Sequence, residues 1–273
     1  MKKDEEGYDF ESQVKARPGI FINGAHHPRE LTSITMVMYM MLKFLYEYVN
    51  DVRQIESDFI EKRAAFFFIP IVNLDGFLTL ENIFKKTGKI YYLRKNKNTS
   101  HTKKKCSGKK QYEYGVDLNR NYGYGFGGPN AETDPCGKTY GGPYPFSEPE
   151  TQSIKKFMEK WTNIKLVLNV HTWGNFICVP FLAGDKKNME IEAPKYARAR
   201  AFYDKLETCN FRPKGNKIGN VEQTLGYRAP GTATDWMLSE LNVTAITPEL
   251  GTVSSYSRNF FLASWYAIEE VLT

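Results

Sequence analysis

At 273 residues and 41% apolar content, the chain is long enough for one large α/β domain or two small ones, with a sizeable core. No apolar run approaches the length of a membrane span, so none is expected. The net charge of +6 is concentrated between Lys85 and Lys110, including Lys103 to Lys105 and Lys109 to Lys110. Without aromatic platforms or a helical stripe beside it, that run reads as a solvated surface loop, and no nucleic-acid partner is expected.

Residues 1–17 are charged and polar with no apolar h-region, so no signal peptide is expected in this chain. They read as an N-terminal tail or remnant, and residues 18–273 as one domain. Strand patterns fall at 18–24, 64–72, 165–171, 175–180 and 243–249. Helical patterns fall at 30–50, 148–161, 194–208, 230–240 and 254–272. Phe66 to Val72 is nearly continuous apolar, as expected of a strand covered on both faces. Ser147 is the expected cap of the helix at 148, with Glu150 three residues later. Between about 85 and 146 the chain turns rich in Gly, Asn, Tyr, Lys and Pro, which suits a binding or lid region. Alternating strands and helices predict an α/β layer fold.

Polar residues gather just after the apolar strands, where open α/β sheets bind ligands. His27 and Glu30 follow the first strand, Asn73, Asp75 and Gly76 the second, His171 the third, and Glu249 the last. His27 and Glu30 are three residues apart, close enough on a turn to grip one ion, and His171 offers a third ligand. Two imidazoles and a carboxylate leave one position of a tetrahedral zinc open, the pattern of a catalytic site. Glu249 would be the general base for water, although a helix N-cap is the competing reading. Asn119 and Arg120 place an amide beside a guanidinium, suited to a free carboxylate. Arg94 could stabilise an oxyanion. Four cysteines (Cys106, Cys136, Cys178, Cys209) contain no CxxC pair and could form up to two disulfides. With two glycosylation-type triplets at Asn98 and Asn242, they favour an oxidising compartment.

Taken in order, these segments resemble the zinc metallocarboxypeptidases of the carboxypeptidase A/B type. His27-Pro28-Arg29-Glu30 resembles that family's HxRE motif, and Pro70 to Phe77 its Pro-x-x-Asn-Pro-Asp-Gly-Tyr segment. Leu93 to Asn96 resembles its Trp-Arg-Lys segment, and Gly115 to Asn121 its Gly-Val-Asp-x-Asn-Arg-Asn run. His171-Thr172-Trp173 corresponds to a His-Ser-Tyr, and Glu249-Leu250 to the catalytic Glu-Leu. The resemblance implies a three-layer α/β/α sandwich around a mixed, mostly parallel twisted sheet, without the usual N-terminal edge elements. It implies one zinc ion on His27, Glu30 and His171, with Asp117 accepting the other ring N–H of His27. Arg94 would polarise the scissile carbonyl. Asn119, Arg120 and Tyr227 would hold the C-terminal carboxylate of a peptide or protein, and Arg29 would line a neighbouring subsite. Glu249 would activate water and then protonate the leaving amine. Cys106 and Cys136 would form a disulfide.

Two departures from the family pattern carry expectations. The first ligand comes early, so the chain reads as a truncated or short form. Thr234 stands by spacing at the floor of the specificity pocket, where an aspartate would select Lys or Arg; neutral, apolar or aromatic C-terminal residues are expected instead. The competing function is a catalytically inert carboxypeptidase-like binding domain. A monomer in a secreted, extracellular or lysosomal-type compartment is expected.

Overall fold

The computed structural model describes residues 9–50, 63–101, 106, 114–183, 194–208, 217–220 and 223–251. The expected helix at 254–272, the Lys103 to Lys105 and Lys109 to Lys110 clusters and Cys209 lie outside the described residues.

The apolar runs form strands that meet in one sheet: β1 (Gly19–Gly24), β2 (Ala65–Ile69), β3 (Ile164–Thr172), β4 (Phe176–Cys178), β5 (Lys217–Gly219) and β6 (Thr244–Leu250). Their order is β2-β1-β3-β6-β4-β5. Every neighbouring pair is parallel except β4 with β6. Parallel neighbours need crossover helices, and these cover both faces of the sheet.

Alternation along the strands decides what each face meets. On one face, Ile22, Val170 and Leu250 pack with Met36 and Val37 of α2 (Leu31–Asn50). On the other, Phe21, Val167 and Ala245 pack with two further helices. These are α4 (Pro149–Lys160), through Ile154 and Met158, and α6 (Ala233–Leu241), through Trp236 and Met237. Trp236 is fully buried against Tyr122 and Phe146, and side chains of this kind contribute roughly 1.5–3 kcal/mol each on burial. The result is the expected three-layer arrangement. At the far end of the sheet, α5 (Ala197–Thr208) packs Ala199 and Tyr203 against Val179 and Ile246.

Two helices were absent from the sequence expectation. The short α1 (Phe10–Lys15), capped by Asp9, lies in the presumed tail and buries Val14. Asn163 Nδ2 donates to the carbonyls of Val14 and Arg17 there, at 2.9 and 2.7 Å. The longer α3 (Leu74–Thr87) starts at Asn73, whose side chain accepts from Gly76 N–H, and ends at Gly88 with φ 65°. Three-residue β5 was also missed.

The expected Ser147 cap is corrected. The N-cap of α4 is Glu148, without a side-chain cap, and Pro149 occupies the first turn. Proline removes one backbone donor there, which lessens the need for a capping acceptor. Ser147 Oγ instead donates to Glu148 Oε1 at 2.7 Å.

Candidate metal centre and carboxylate cradle

The turn after β1 is held from three sides. Ala25 N–H donates to Ser33 Oγ, and Asn73 Nδ2 donates to the His26 carbonyl, both at 3.0 Å. Arg29 N–H donates to the Leu93 carbonyl at 3.1 Å. Gly76 leaves room for Pro28, whose Cγ would lie 2.3 Å from a Cβ at that position. These ties aim His27 and Glu30 at the strand ends immediately before α2.

Glu30 spans the two histidines. Its Oε1 lies 2.8 Å from His27 Nδ1, and its Oε2 lies 2.8 Å from His171 Nδ1. All three side chains are buried, and one ligand atom from each lies within 4.8 Å of the others. Asp117 fixes the far side of His27, with Oδ1 3.0 Å from Nε2. A carboxylate there takes the Nε2–H, which assigns the tautomer and leaves the Nδ1 lone pair facing Glu30. Two acceptors 2.8 Å apart then need a cation between them. The N, N, O donor set is that of a catalytic zinc, so the residues fit the ion.

The electrostatics agree. Burial raises the pKa of Glu30, but positive charge on His27 and His171, a place a bound cation would take, holds it on balance well below the usual carboxylate range. Burial likewise works against ionised Asp117, and Arg94 with His27 outweighs it, so that group too stays well below the usual range. Burial lowers His171 and keeps its imidazole neutral, the form that binds metal. Glu249 moves the opposite way. Burial and the neighbouring Glu30 carboxylate push it well above the carboxylate range, although Arg94, Arg29 and Arg120 pull against them.

Glu249, Arg94, Arg29 and Asn119 gather around this centre. Glu249 is the register neighbour of His171 across β3 and β6. Arg94 Nε donates to Asp117 Oδ2 at 2.7 Å, and its Nη1 reaches within 3.5 Å of His27 Nδ1. Arg29 stacks on the Tyr92 ring, 3.7 Å from its centroid, with Nε 3.9 Å from Glu30 Oε1. Asn119 Oδ1 accepts the Ala233 N–H at 3.0 Å, which turns Nδ2 towards His171 Nε2 at 3.3 Å. Arg120 is held by its own Nη1, which donates to the Asn119 carbonyl at 2.7 Å. Tyr227 is half exposed. Thr234, in the first turn of α6, is fully buried, with its hydroxyl 3.4 Å from that of Thr247.

Sequence reasoning assigned no role to several residues that build the site. His26 Nε2 lies 2.8 Å from the Tyr122 hydroxyl, and its ring stacks on His171 at 5.7 Å. Asp235 accepts the backbone N–H groups of Leu182 and Ala183 and ties the loop after β4 to α6. Asn23 and Asn169 are buried beneath the site. Polar residues inside otherwise apolar strands were the available signal. The expected disulfide is present between Cys106 and Cys136, and Cys178 is buried and free. No described helix is long and apolar enough to cross a membrane.

Residues 4–271 match the family model described as zinc carboxypeptidase. Mouse carboxypeptidase A4 is 27% identical over 89% of the chain and 53% of its own length. Pig carboxypeptidase A1 is 28% identical over 85% of the chain and 50% of its own length. The chain therefore spans about half the length of these curated relatives. Bovine thrombin-activatable fibrinolysis inhibitor, solved with a tick carboxypeptidase inhibitor, shares the fold. It superposes with a TM-score of 0.67 at 23% identity, covering 94% of this chain and 80% of that one. A carboxypeptidase A from Helicoverpa armigera gives 0.66 at 23% identity, covering 95% and 59%. The chain belongs to the zinc carboxypeptidase family.

Proposed function

We propose that the chain is a zinc-dependent carboxypeptidase that hydrolyses the last peptide bond of peptides and proteins. The observation that carries this reading is the joining of two recognition elements in one place. A buried His27, Glu30 and His171 triad adjoins Asn119 and Arg120, and Asn119 contacts His171 directly. A site for polarising a carbonyl thus lies beside a site for a terminal carboxylate.

A bound zinc ion supplies a Lewis acid that polarises a carbonyl and acidifies water. The chain's own residues do the rest. Arg120 and Asn119 hold the terminal carboxylate, with Tyr227 at the mouth, so only a chain end is placed for cleavage. Arg94, oriented by Asp117, turns its guanidinium towards the scissile carbonyl oxygen and stabilises charge that develops there. Glu249 accepts a proton from the attacking water and returns it to the leaving amine nitrogen. Its raised pKa makes it a stronger base than an ordinary carboxylate, suited to taking that proton and passing it on. Arg29 lines the adjoining subsite.

Thr234 supports release of neutral rather than basic C-terminal residues, because the pocket floor offers no carboxylate there. The sequence expectation of apolar or aromatic residues remains one form of that preference. The Cys106–Cys136 bridge supports an oxidising, secreted or lysosomal-type compartment. Free thiols at both positions in native protein would argue against it.

The test pairs peptides that differ only at the C-terminus, free acid against amide. The proposal expects the zinc-loaded chain to remove one residue from the acid and none from the amide. Equal cleavage of both would overturn the carboxylate cradle.

A further inference from the structure

The sheet carries a polar row directly beneath the candidate active site. Asn23 and Asn169 are register neighbours on β1 and β3. Continuing the β3–β6 register from Leu168 beside Ile246 to His171 beside Glu249 puts Asn169 beside Thr247. By strand alternation, Asn169 and Thr247 share the face of His171 and Glu249, one pleat repeat below them, about 6.7 Å. One repeat further down is the apolar row Phe21, Val167 and Ala245. The row therefore lies between the catalytic groups and the core. It faces the first turn of α6, where the Thr234 hydroxyl meets Thr247 at 3.4 Å. The same turn touches Asn119 through the Ala233 N–H.

Both amides are fully buried, and both atoms of each lack a hydrogen-bond partner. Native structures rarely tolerate this, because each unpaired polar atom loses its hydration without replacement. A primary amide needs a donor and an acceptor together, which an apolar guest cannot provide.

Resting on the carboxypeptidase reading, we propose that Asn169, with Thr247 and Thr234 beside it and Asn23 behind it, is the specificity-determining floor for the substrate's C-terminal side chain. The chemistry favours a neutral residue that can donate and accept at its tip, a carboxamide such as glutamine, over an apolar residue of equal length. A site built to hydrogen-bond its guest discriminates strongly against the analogue that lacks those atoms. This narrows the expectation of neutral residues to polar ones.

The experiment compares kcat/KM of the zinc-loaded chain for matched peptides ending in Gln and in Met, in the wild type and in Asn169→Leu. Calorimetric binding of the dipeptides Gly-Gln and Gly-Met is measured alongside. The expected result is a wild-type preference for Gln of about tenfold or more. Asn169→Leu should abolish or reverse it, with Gly-Gln binding moving in parallel. Thr247→Val provides a second, milder variant if Asn169→Leu fails to fold, and should lower the same ratio. Cleavage with Met equal to or above Gln, unchanged by substitution, would overturn the floor while leaving the carboxypeptidase standing. Selective Gly-Gln binding without any cleavage would sustain the floor and sink the catalytic reading. Binding of neither dipeptide would overturn both.

Discussion

Replacing Asp117 by asparagine tests how the site is held together. Asp117 is fully buried and does three things at once. Oδ1 takes the His27 Nε2–H at 3.0 Å and the Asn119 N–H at 3.1 Å, and Oδ2 takes Arg94 Nε at 2.7 Å. Asparagine keeps the shape and one acceptor oxygen, but its amide group must then face a donor on the other side. Whichever way it turns, either His27 or Arg94 loses its partner. Loss of an outer partner to a ligating histidine typically costs 10- to 100-fold in metal affinity, about 1.4–2.8 kcal/mol. Arg94 is only 12% exposed at its side chain, so its cation would be left largely buried and uncompensated. Removing one partner of such a pair costs about 3–5 kcal/mol of stability. An oxygen turned to His27 also keeps the Asn119 N–H and one turned to Arg94 keeps that bond, but the amide is neutral either way, so both His27 and Arg94 lose a charged partner and the lower end, about 3 kcal/mol, is expected. Chelator competition reads zinc affinity, and denaturant unfolding of the zinc-free protein reads stability. Zinc affinity within twofold of wild type, with unfolding unchanged, would refute the reasoning. A loss of stability without loss of zinc affinity would assign Asp117 to the loop alone.

Three further outcomes follow from the geometry. Gly231 has φ 71°, and a Cβ there would meet the Arg120 carbonyl oxygen at 2.3 Å, so Gly231→Ala should destabilise by more than about 1 kcal/mol. Because the shift falls on Arg120, KM for free-acid peptides should rise more than kcat falls, which steady-state kinetics will show. Burial pushes Asp235 up from 3.8 to about 6, so its contribution to stability is fully present below pH 3.8 and lost as pH rises through 6. Across that window the wild type should lose up to about 3 kcal/mol relative to Asp235→Asn, as read by unfolding at a series of pH values. Cys136→Ser removes a bridge closing a loop of sequence separation 30, which should cost about 3–4 kcal/mol in thermal or denaturant unfolding.

The candidate site residues were legible because their chemistry is costly to place by chance. Two histidines and two glutamates just after apolar strands, with Arg94 and Arg120 in the polar segments between them, point to one another before any coordinates exist. Apolar runs of the right length located β1, β2, β3, β4 and β6 for the same reason. The omissions have identifiable causes. In α3 the period is blurred because Leu74, Leu78 and Phe84 face solvent, at 52%, 42% and 48% exposure. Its end signals were nevertheless present: Asn73 before it, Lys85 and Lys86 in its last turn, and Gly88 after it. Strand β5 has three residues, too few for alternation to show. Ser147 had the right type and spacing for a capping box, but Pro149 and the tertiary demand on Glu148 moved the boundary by one residue. Glu148 is fully buried and accepts from Asn96 Nδ2 at 2.6 Å. Asn23 and Asn169 were read simply as strand residues, because period alone says which face a side chain takes and not what lies above it.

The central claim is tested most directly by mass spectrometry of a mixed peptide pool incubated with the purified chain, with and without a zinc chelator. The account predicts loss of single C-terminal residues that stops when the chelator is added and returns when zinc is restored. An intact pool from folded, zinc-loaded protein would contradict it and favour a binding domain built on the same centre.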